Sequence, residues 1–250
     1  MTDTPPPQNV YDDPDFFARY AKLARFGPGW RDAYEHPSFM ALLPEVAGRR
    51  VLDLGCGAGQ LARHLAECGA ADVTGVDLSE RMLSIARGEY SHSRLTFVRA
   101  SMEEAAFPPD RFDLVVSSLA FHYVADYGDL CRRIATWLAP GGVLVFSTEH
   151  PVYLSRATAE GWVRDPDGNV THWALDRYGD QGLREETWLA DGVQKYHRMV
   201  STLLNGLIDA GLTIERVGEP MPDAAMLQRH PEWAQESKRP FCLLIRARKG

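Results

Sequence analysis

A glycine-rich loop between a buried strand and a helix constrains this chain more than any other feature. Residues 50–54 (RVLDL) are short and apolar, as in a buried strand, and the loop that follows carries Gly55, Gly57 and Gly59. Helical spacing then runs from about residue 60 to 68. Glycines let the backbone approach a ligand closely, and a helix N-terminus adds free N–H donors at a positive dipole end. The pattern predicts a ligand-binding turn in an α/β protein.

The residues around this loop favour one nucleotide-like ligand. A dinucleotide loop needs a glycine where Gln60 stands, and no Walker lysine follows. Asp53, two residues before Gly55, suits the ammonium group of S-adenosylmethionine better than a pyrophosphate. Asp77 ends the next strand, twenty residues after Gly57, where acids of nucleotide-binding α/β folds accept hydrogen bonds from ribose hydroxyls. The sequence predicts S-adenosyl-L-methionine as cofactor and S-adenosyl-L-homocysteine as its product.

Strand and helix patterns alternate after the loop, which implies a parallel sheet. Ser79 is placed to cap the helix that carries Met82, and a turn at 140–142 (PGG) precedes the fifth strand. The predicted strands are 73–77, 95–98, 112–117 and 143–147, and a further helix is predicted at 130–138.

The flanking segments differ from this core. Helices are predicted at 16–23, which Pro28-Gly29 interrupts, and at about 30–46 with a possible break at Pro37 or Pro44. Residues 150–196 are polar and aromatic without helical period, and a turn at 165–169 indicates a small antiparallel insertion. A helix at 199–210 ends at Gly211, and strands at 212–217 and 241–247 complete the sheet.

Four motifs follow in order: DLGCGAGQ at 53–60, VDLS at 76–79, FDLVVSSLAFHYV at 112–124 and LAPGGVLVFS at 138–147. Over about 51–149 the chain therefore resembles the class I S-adenosylmethionine-dependent methyltransferases, and more narrowly the small bacterial type 11 members. The resemblance implies a Rossmann-like α/β fold with a seven-stranded, mostly parallel sheet, helices on both faces, an antiparallel last strand and a small antiparallel β insertion. We expect a single domain over 1–250, divided into an N-terminal helical lid (1–48), a cofactor-binding core (49–149), a substrate-cap insertion (150–198) and a C-terminal helix with strands (199–250).

The resemblance also implies where the cofactor is held. Ser101 stands where the family commonly has an acid for the adenine amino group, so Met102 is expected to contact adenine, and contacts from Ser101 or Glu103 stay open. The end of the fourth strand maps beside the methionine part, and Tyr20 is expected to cover the carboxylate. The predicted cofactor residues are Tyr20, Asp53, Gly55, Cys56, Gly57, Gly59, Gln60, Asp77, Leu78, Met82, Ser101, Met102, Glu103, Ser118 and Leu119.

We expect methyl transfer to an oxygen, nitrogen or carbon nucleophile of a small molecule, and such transfer needs a base only for some acceptors. His122 is a candidate because it follows the fourth strand, where the methyl group is expected; the alternative is that it only shapes the cofactor wall. Glu149 and His150, at the carboxyl end of the fifth strand, are further candidates. A strand-end hydrogen bond and a loop histidine are their structural alternatives.

The aromatic insertion offers flat surfaces with few charges, which favours a planar or aromatic small-molecule acceptor. The predicted acceptor-site residues are Tyr123, Tyr153, Trp173, Tyr196 and His197. The alternative is that Trp162, Trp173 and Trp188 form a small core or a dimer contact.

Composition narrows the function class. The net charge is -7 and no basic block occurs, which argues against a nucleic-acid partner. An acidic, proline-rich start and the lack of long apolar runs predict a cytoplasmic protein without membrane contact. We expect a monomer or a homodimer. The four cysteines are interpreted as reduced thiols, and no metal is expected. An RNA or protein methyltransferase and a non-catalytic cofactor-binding protein remain as alternatives.

Overall fold

A seven-stranded sheet forms the centre of the protein in the computed structural model, which describes residues 6–23, 35–158 and 160–250. The strand order is β10-β11-β5-β4-β1-β2-β3. β1 to β5 are parallel, whereas β11 is antiparallel to both β5 and β10, which confirms the predicted fold class. The strands of this sheet are β1 (Arg50–Leu54), β2 (Asp72–Asp77), β3 (Leu95–Arg99), β4 (Phe112–Ser117), β5 (Leu138–Glu149), β10 (Leu212–Gly218) and β11 (Cys242–Lys249).

Helices cover both faces of the sheet, and each face has its own apolar core. Ile134 of α5 and Leu207 of α7 belong to the core on one face, and Phe39 of α2 and Leu65 of α3 to the core on the other. No described helix combines the length and apolarity that crossing a bilayer demands. The helices are α1 (Pro14–Tyr20), α2 (Glu35–Leu42), α3 (Gln60–Glu67), α4 (Glu80–Glu89), α5 (Tyr127–Trp137), α6 (Pro151–Leu154), α7 (Val200–Asp209) and α8 (Ala224–Arg229).

The insertion after β5 folds as two separate hairpins, β6 (Trp162–Arg164) with β7 (Val170–Trp173) and β8 (Gly182–Trp188) with β9 (Ala190–His197). Asp165 forms the first turn, since its Oδ1 accepts the backbone N–H groups of Asp167 and Asn169 at 3.0 and 2.8 Å. The insertion is therefore antiparallel, as predicted from its turn residues.

The observed boundaries depart from the sequence patterns at three places. The expected turn at 140–142 lies within β5, where the register with β4 shifts between Phe112 and Leu114. Residues 224–238, for which no element was predicted, form α8 and a following 3-10 helix. α2 ends at Leu42 rather than near residue 46, at the possible break ahead of Pro44, and Pro37 lies within the helix. The predicted interruption at Pro28-Gly29 and the helix start near residue 30 lie outside the described residues.

Candidate functional site

A cavity of about 270 Å³ opens at the carboxyl edge of the sheet, where β1 to β5 end. β2 lies on one side of β1 and β4 on the other, so the chain connections diverge there, as at the ligand-binding crevice of open α/β sheets. The predicted site residues that line the cavity are Tyr20, Gly55, Gly57, Asp77, Leu78, Met82, Ser101, Met102, Glu103, Ser118, Leu119, His122, Tyr123, Glu149, Tyr153 and Tyr196.

Two glycines of the loop after β1 are required for different reasons. Gly55 has φ +70°, and a Cβ there would lie 2.5 Å from the Cβ of Ala120, just after β4. Gly59 has φ +87°, and its Cβ would lie 2.8 Å from the ring of Phe97 in β3. Gly55 therefore lets the ends of β1 and β4 approach each other at the cavity, whereas Gly59 lets α3 pack closely on the sheet.

Asp77 connects this loop to α4. Its Oδ2 accepts the backbone N–H of Gly57 at 2.8 Å, and its Oδ1 accepts the backbone N–H of Ser79 at 2.9 Å. The Ser79 hydroxyl in turn caps α4 by accepting the N–H of Met82 at 3.1 Å. Burial raises the pKa of Asp77 above its ordinary range, although these hydrogen bonds oppose it. A carboxylate is thus held at the cavity between the loop and the helix.

Four predicted cofactor residues lie outside the cavity lining: Asp53, Cys56, Gly59 and Gln60. Asp53 is buried behind the loop, and its Oδ2 has no hydrogen-bond partner among the described residues. Burial, followed by the nearby Asp77 carboxylate, raises the pKa of Asp53 to about 8. A cation close to the loop would therefore favour its ionised form. Cys56 is buried under the loop, and Gln60 begins α3.

The loop after β3 forms the wall beside Leu78 and Met82. The Ser101 hydroxyl accepts the N–H of Glu104 at 3.1 Å, so it is committed within its own loop. Arg133 of α5 fixes the loop from behind by donating to the carbonyl oxygens of Met102 and, at 2.5 Å, Glu103. The polar side chain left facing the cavity here is Glu103.

The end of β4 is held by a buried carboxylate that the sequence patterns did not reveal. Oε1 of Glu35, in α2, accepts the hydroxyls of Ser147 at 2.5 Å and Ser118 at 3.2 Å. Leu119 has φ +51°, a rare conformation for a residue with a side chain, and its N–H donates to the Ser147 hydroxyl at 3.0 Å. Three elements thus fix the backbone at the middle of the cavity.

His122 lies in a short 3-10 turn after β4 and is 3% exposed. Its Nδ1 accepts the backbone N–H of Glu149 at 3.3 Å, so we assign the proton of the neutral ring to Nε2. Nε2 lies 3.9 Å from Oε1 of Glu149. In this tautomer Nε2 is a hydrogen-bond donor and has no lone pair with which to take a proton from an acceptor.

Glu149 lines the cavity and belongs to a buried ion network. Nζ of Lys195, in β9, donates to both its carboxylate oxygens at 2.7 and 2.9 Å and lies 3.2 Å from Glu186. Arg156 pairs with the same Glu186 at 2.9 Å. Burial alone would lower the pKa of Lys195, but the carboxylates of Glu149 and Glu186 outweigh burial and raise it. The Lys195 side chain is 0% exposed, and sequence reasoning missed it together with Glu186 and Arg156.

Comparisons with known proteins agree with this geometry. The methyltransferase domain family matches residues 51–142. An uncharacterised protein of Haemophilus influenzae is 37% identical over 248 residues, which are 96% of this chain and 97% of that protein. The crystal structure of an S-adenosylmethionine-dependent methyltransferase from Mesorhizobium loti is 46% identical with a TM-score of 0.81, over 87% of this chain and 98% of that chain. The chain belongs to the S-adenosylmethionine-dependent methyltransferases.

A relative of named activity matches the methyltransferase over its core alone. The ubiquinone biosynthesis O-methyltransferase of Bordetella avium is 39% identical over 110 residues, which are 43% of this chain and 45% of that enzyme. This match spans less than half of either chain.

The residues of the methyltransferase fit S-adenosylmethionine. Gly55 and Gly57 bring the loop backbone to the cavity wall, and a carboxylate suited to ribose hydroxyls lines the cavity at Asp77. The buried Asp53 oxygen without a partner lies behind the same loop, where an ammonium group would favour its charge. The individual contacts of these residues stay predictions.

Three residues predicted for chemistry or acceptor binding lie outside the cavity lining of the methyltransferase. His150 caps α6, where its Nδ1 accepts the N–H of Val152, and its Nε2 lies 2.8 Å from Glu219. His197 is buried, and its Nε2 donates a hydrogen bond to the Tyr178 carbonyl at 2.8 Å.

Trp173 is the third, and it belongs to a small aromatic core. Its ring lies 4.7 Å from Trp162 and 5.5 Å from Tyr153, and Arg239 fills the centre of the group. For Trp162 and Trp173 the structure thus favours the alternative of a small core, whereas Trp188 lines the cavity.

The N-terminal segment of the methyltransferase, residues 6–23, lines the cavity on its outer side. Asp12 binds the start of α4, because it accepts the Ser79 hydroxyl at 2.6 Å and the Arg81 N–H at 3.0 Å. Gln8 pairs with β9 by donating to the Gly192 carbonyl and accepting the Gln194 N–H, both at 2.9 Å. Residues 6–23 therefore contact both α4, next to Asp77, and the insertion at β9.

Proposed function

We propose that this methyltransferase methylates a planar small molecule bound between His122, Glu149 and the aromatic side chains of the insertion. The observation that carries the proposal is that rings from four parts of the chain line the same cavity as the glycine loop and Asp77. These ring-bearing residues are Tyr11, Tyr20, Tyr123, Tyr153, Trp188, Tyr196 and Phe241.

The aromatic lining suits a flat ligand because its rings pack edge to face and present apolar ring surface to the cavity. Trp188 lies 6.2 Å from Tyr20 at 83°, and Tyr11 lies 6.1 Å from Tyr123 at 88°. Such surfaces bury a large apolar area and favour stacked or T-shaped contacts with a ring. The hydroxyls of Tyr11 and Tyr123 lie 3.0 Å apart, and burial raises the pKa of Tyr123 well above its ordinary range. Tyr123 is therefore a neutral hydrogen-bonding group at neutral pH.

The roles of the chain's own residues follow from their positions. Bound S-adenosylmethionine supplies an activated methyl group on a sulfonium, so the protein has to align a nucleophile and exclude water. We assign His122 to orientation, because its Nε2 donates and faces Glu149. We assign the Glu149 carboxylate to accepting a hydrogen bond from the acceptor, and residues 6–23 to covering the cavity as a lid.

The proposal is tested by incubating the purified protein with a metabolite extract and S-adenosylmethionine that carries an isotopically labelled methyl group. Mass spectrometry is expected to find a labelled small molecule with an aromatic or other planar ring. The matched control is Asp77→Asn, which is expected to lose most of the labelled product because the Asp77 carboxylate lines the cavity beside the glycine loop.

A label that appears in RNA or protein but in no small molecule would refute the proposed acceptor class. A protein that binds S-adenosylhomocysteine yet labels nothing from any extract would support the alternative of a non-catalytic binding protein.

A further inference from the structure

The charges around the proposed acceptor site point to a narrower substrate class. This inference rests on the proposed function. Among the described residues that line the cavity, none is lysine or arginine, and the acids are Asp77, Glu103 and Glu149. Asp77 ends β2 beside the glycine loop, and Glu103 follows β3. Glu149 ends β5 and is the charged group next to the aromatic rings.

The charge of Glu149 is already neutralised by Lys195, which does not line the cavity. Lys195 donates to both its oxygens, and the network of Glu149, Glu186, Lys195 and Arg156 contains two carboxylates and two cations. All four side chains are at most 10% exposed. Charges at such distances in a dry interior interact strongly, so the network is held as a closed, neutral unit.

Lys195 does not line the cavity and packs against two rings that do. Its Nζ lies 5.0 Å from the centre of the Trp188 ring and 5.9 Å from that of Tyr153, and both residues line the cavity. The ammonium group therefore acts on a bound molecule through Glu149 and makes no direct contact with it. Lys195 is a positioning residue in this arrangement.

A carboxylate has about four lone-pair sites, and Lys195 occupies one on each oxygen of Glu149, so acceptor capacity remains toward the cavity. The complementary group on a ligand is a hydrogen-bond donor. An ammonium group would place a second cation on a carboxylate that already has one, and a carboxylate would meet Glu149 with like charge.

We propose that Lys195, by neutralising Glu149, makes the acceptor site of this methyltransferase select an uncharged ring compound whose hydroxyl donates a hydrogen bond to Glu149. Each charge of the pair then has a predictable effect on ligand choice. Without the Glu149 charge the site carries an excess cation and should prefer anions; without the Lys195 charge it carries an excess anion and should prefer cations.

The test compares three probes of similar shape: benzyl alcohol, benzoate and benzylammonium. Their binding is measured by calorimetry at neutral pH with saturating S-adenosylhomocysteine. Wild type is expected to bind benzyl alcohol more tightly than either ion by about tenfold or more. Glu149→Gln should shift the preference to benzoate and Lys195→Met to benzylammonium, while the double variant should return to benzyl alcohol.

Lys195→Arg is the matched control that keeps the charge, and its preference should follow wild type. Glu149→Gln leaves Lys195 paired with Glu186, so it keeps the test decisive if Lys195→Met fails to fold. The same probe order in all folded variants, a charged probe preferred by wild type, or no probe bound by wild type would each overturn the inference. A labelled small-molecule product obtained alongside such a result would leave the proposed function intact.

Discussion

The ribose assignment of Asp77 can be tested by removing its charge without changing its shape. Asp77→Asn keeps the side-chain volume and one acceptor oxygen but replaces the other oxygen with an N–H₂ donor. In the structure one oxygen is bonded to Gly57 and the other to Ser79, and both flank the cavity. The N–H₂ group would face one of these two backbone N–H donors, so the variant loses one backbone hydrogen bond. It would also lose one of two charge-assisted bonds to a ribose and weaken the other.

The magnitude follows from hydrogen-bond energies. Losing one charge-assisted bond and reducing a second to a neutral one costs about 3 kcal/mol, which is roughly a 150-fold rise in Kd. Calorimetric titration with S-adenosylhomocysteine measures this change directly. Asp72→Asn is the matched control, because Asp72 begins the same strand, far from the cavity, and pairs with Arg111 at 2.6 Å.

The reasoning would be refuted by equal affinity of wild type and Asp77→Asn for S-adenosylhomocysteine. An equal loss in Asp72→Asn would show that the effect comes from damage to β2 rather than from lost ribose contacts. Thermal melting of both variants establishes that the strand remains folded.

Three further outcomes are expected. Gly59→Ala should lower the free energy of unfolding, measured by denaturant titration, by about 2–4 kcal/mol, because of its positive φ and the overlap with Phe97. His197→Asn should reduce the loss of stability below about pH 6.5, because burial lowers the pKa of His197 and the unfolded chain then binds more protons in that range. Asp12→Ala should speed the release of S-adenosylhomocysteine about tenfold in stopped-flow experiments, because two bonds to α4 are lost.

The matched controls are Gly168→Ala, His172→Asn and Asp15→Ala. Gly168 has φ +85° but open space around it, and His172 and Asp15 are exposed. If Gly168→Ala lowers the free energy of unfolding as much as Gly59→Ala does, packing against Phe97 is not the cause. If stability falls below pH 6.5 as steeply in His197→Asn as in wild type, the argument from the pKa of His197 is contradicted. Release rates that match the Asp15→Ala control would remove the anchoring role of Asp12.

The core of the fold was predictable because its signals are local. The strand at 50–54, the glycines after it and the cap at Ser79 each depend on residues a few positions apart, and the structure has β1, the loop and α4 at those places. Asp77 was found in the same way, since its distance from Gly57 reflects one strand-helix-strand unit.

The ion network was not predictable because its members are joined through space. Lys195 and Glu149 are 46 positions apart and meet where β9 crosses the end of β5. One signal was available in β9: a strand alternates faces, so Tyr196 and His197 point in opposite directions. Alternation places His197 beside Lys195 and Val193 on the buried side, and leaves Tyr196 for the cavity.

A lid over 1–48 was predicted, but the individual contacts of residues 6–12 were not, because this stretch has no hydrophobic period. Its placement depends on single side-chain hydrogen bonds, such as those of Gln8 and Asp12, rather than on apolar burial. Patterns of hydrophobicity carry no information about contacts of this kind.

The double attachment of residues 6–23 has a kinetic consequence. The same stretch of chain touches α4 through Asp12 and β9 through Gln8, so neither half of the cavity is uncovered without moving a segment that also covers the other. Spent cofactor and product would then escape in one concerted opening instead of in independent steps. If that opening is slower than methyl transfer, steady-state turnover falls as solvent viscosity rises and does not depend on the reactivity of the acceptor.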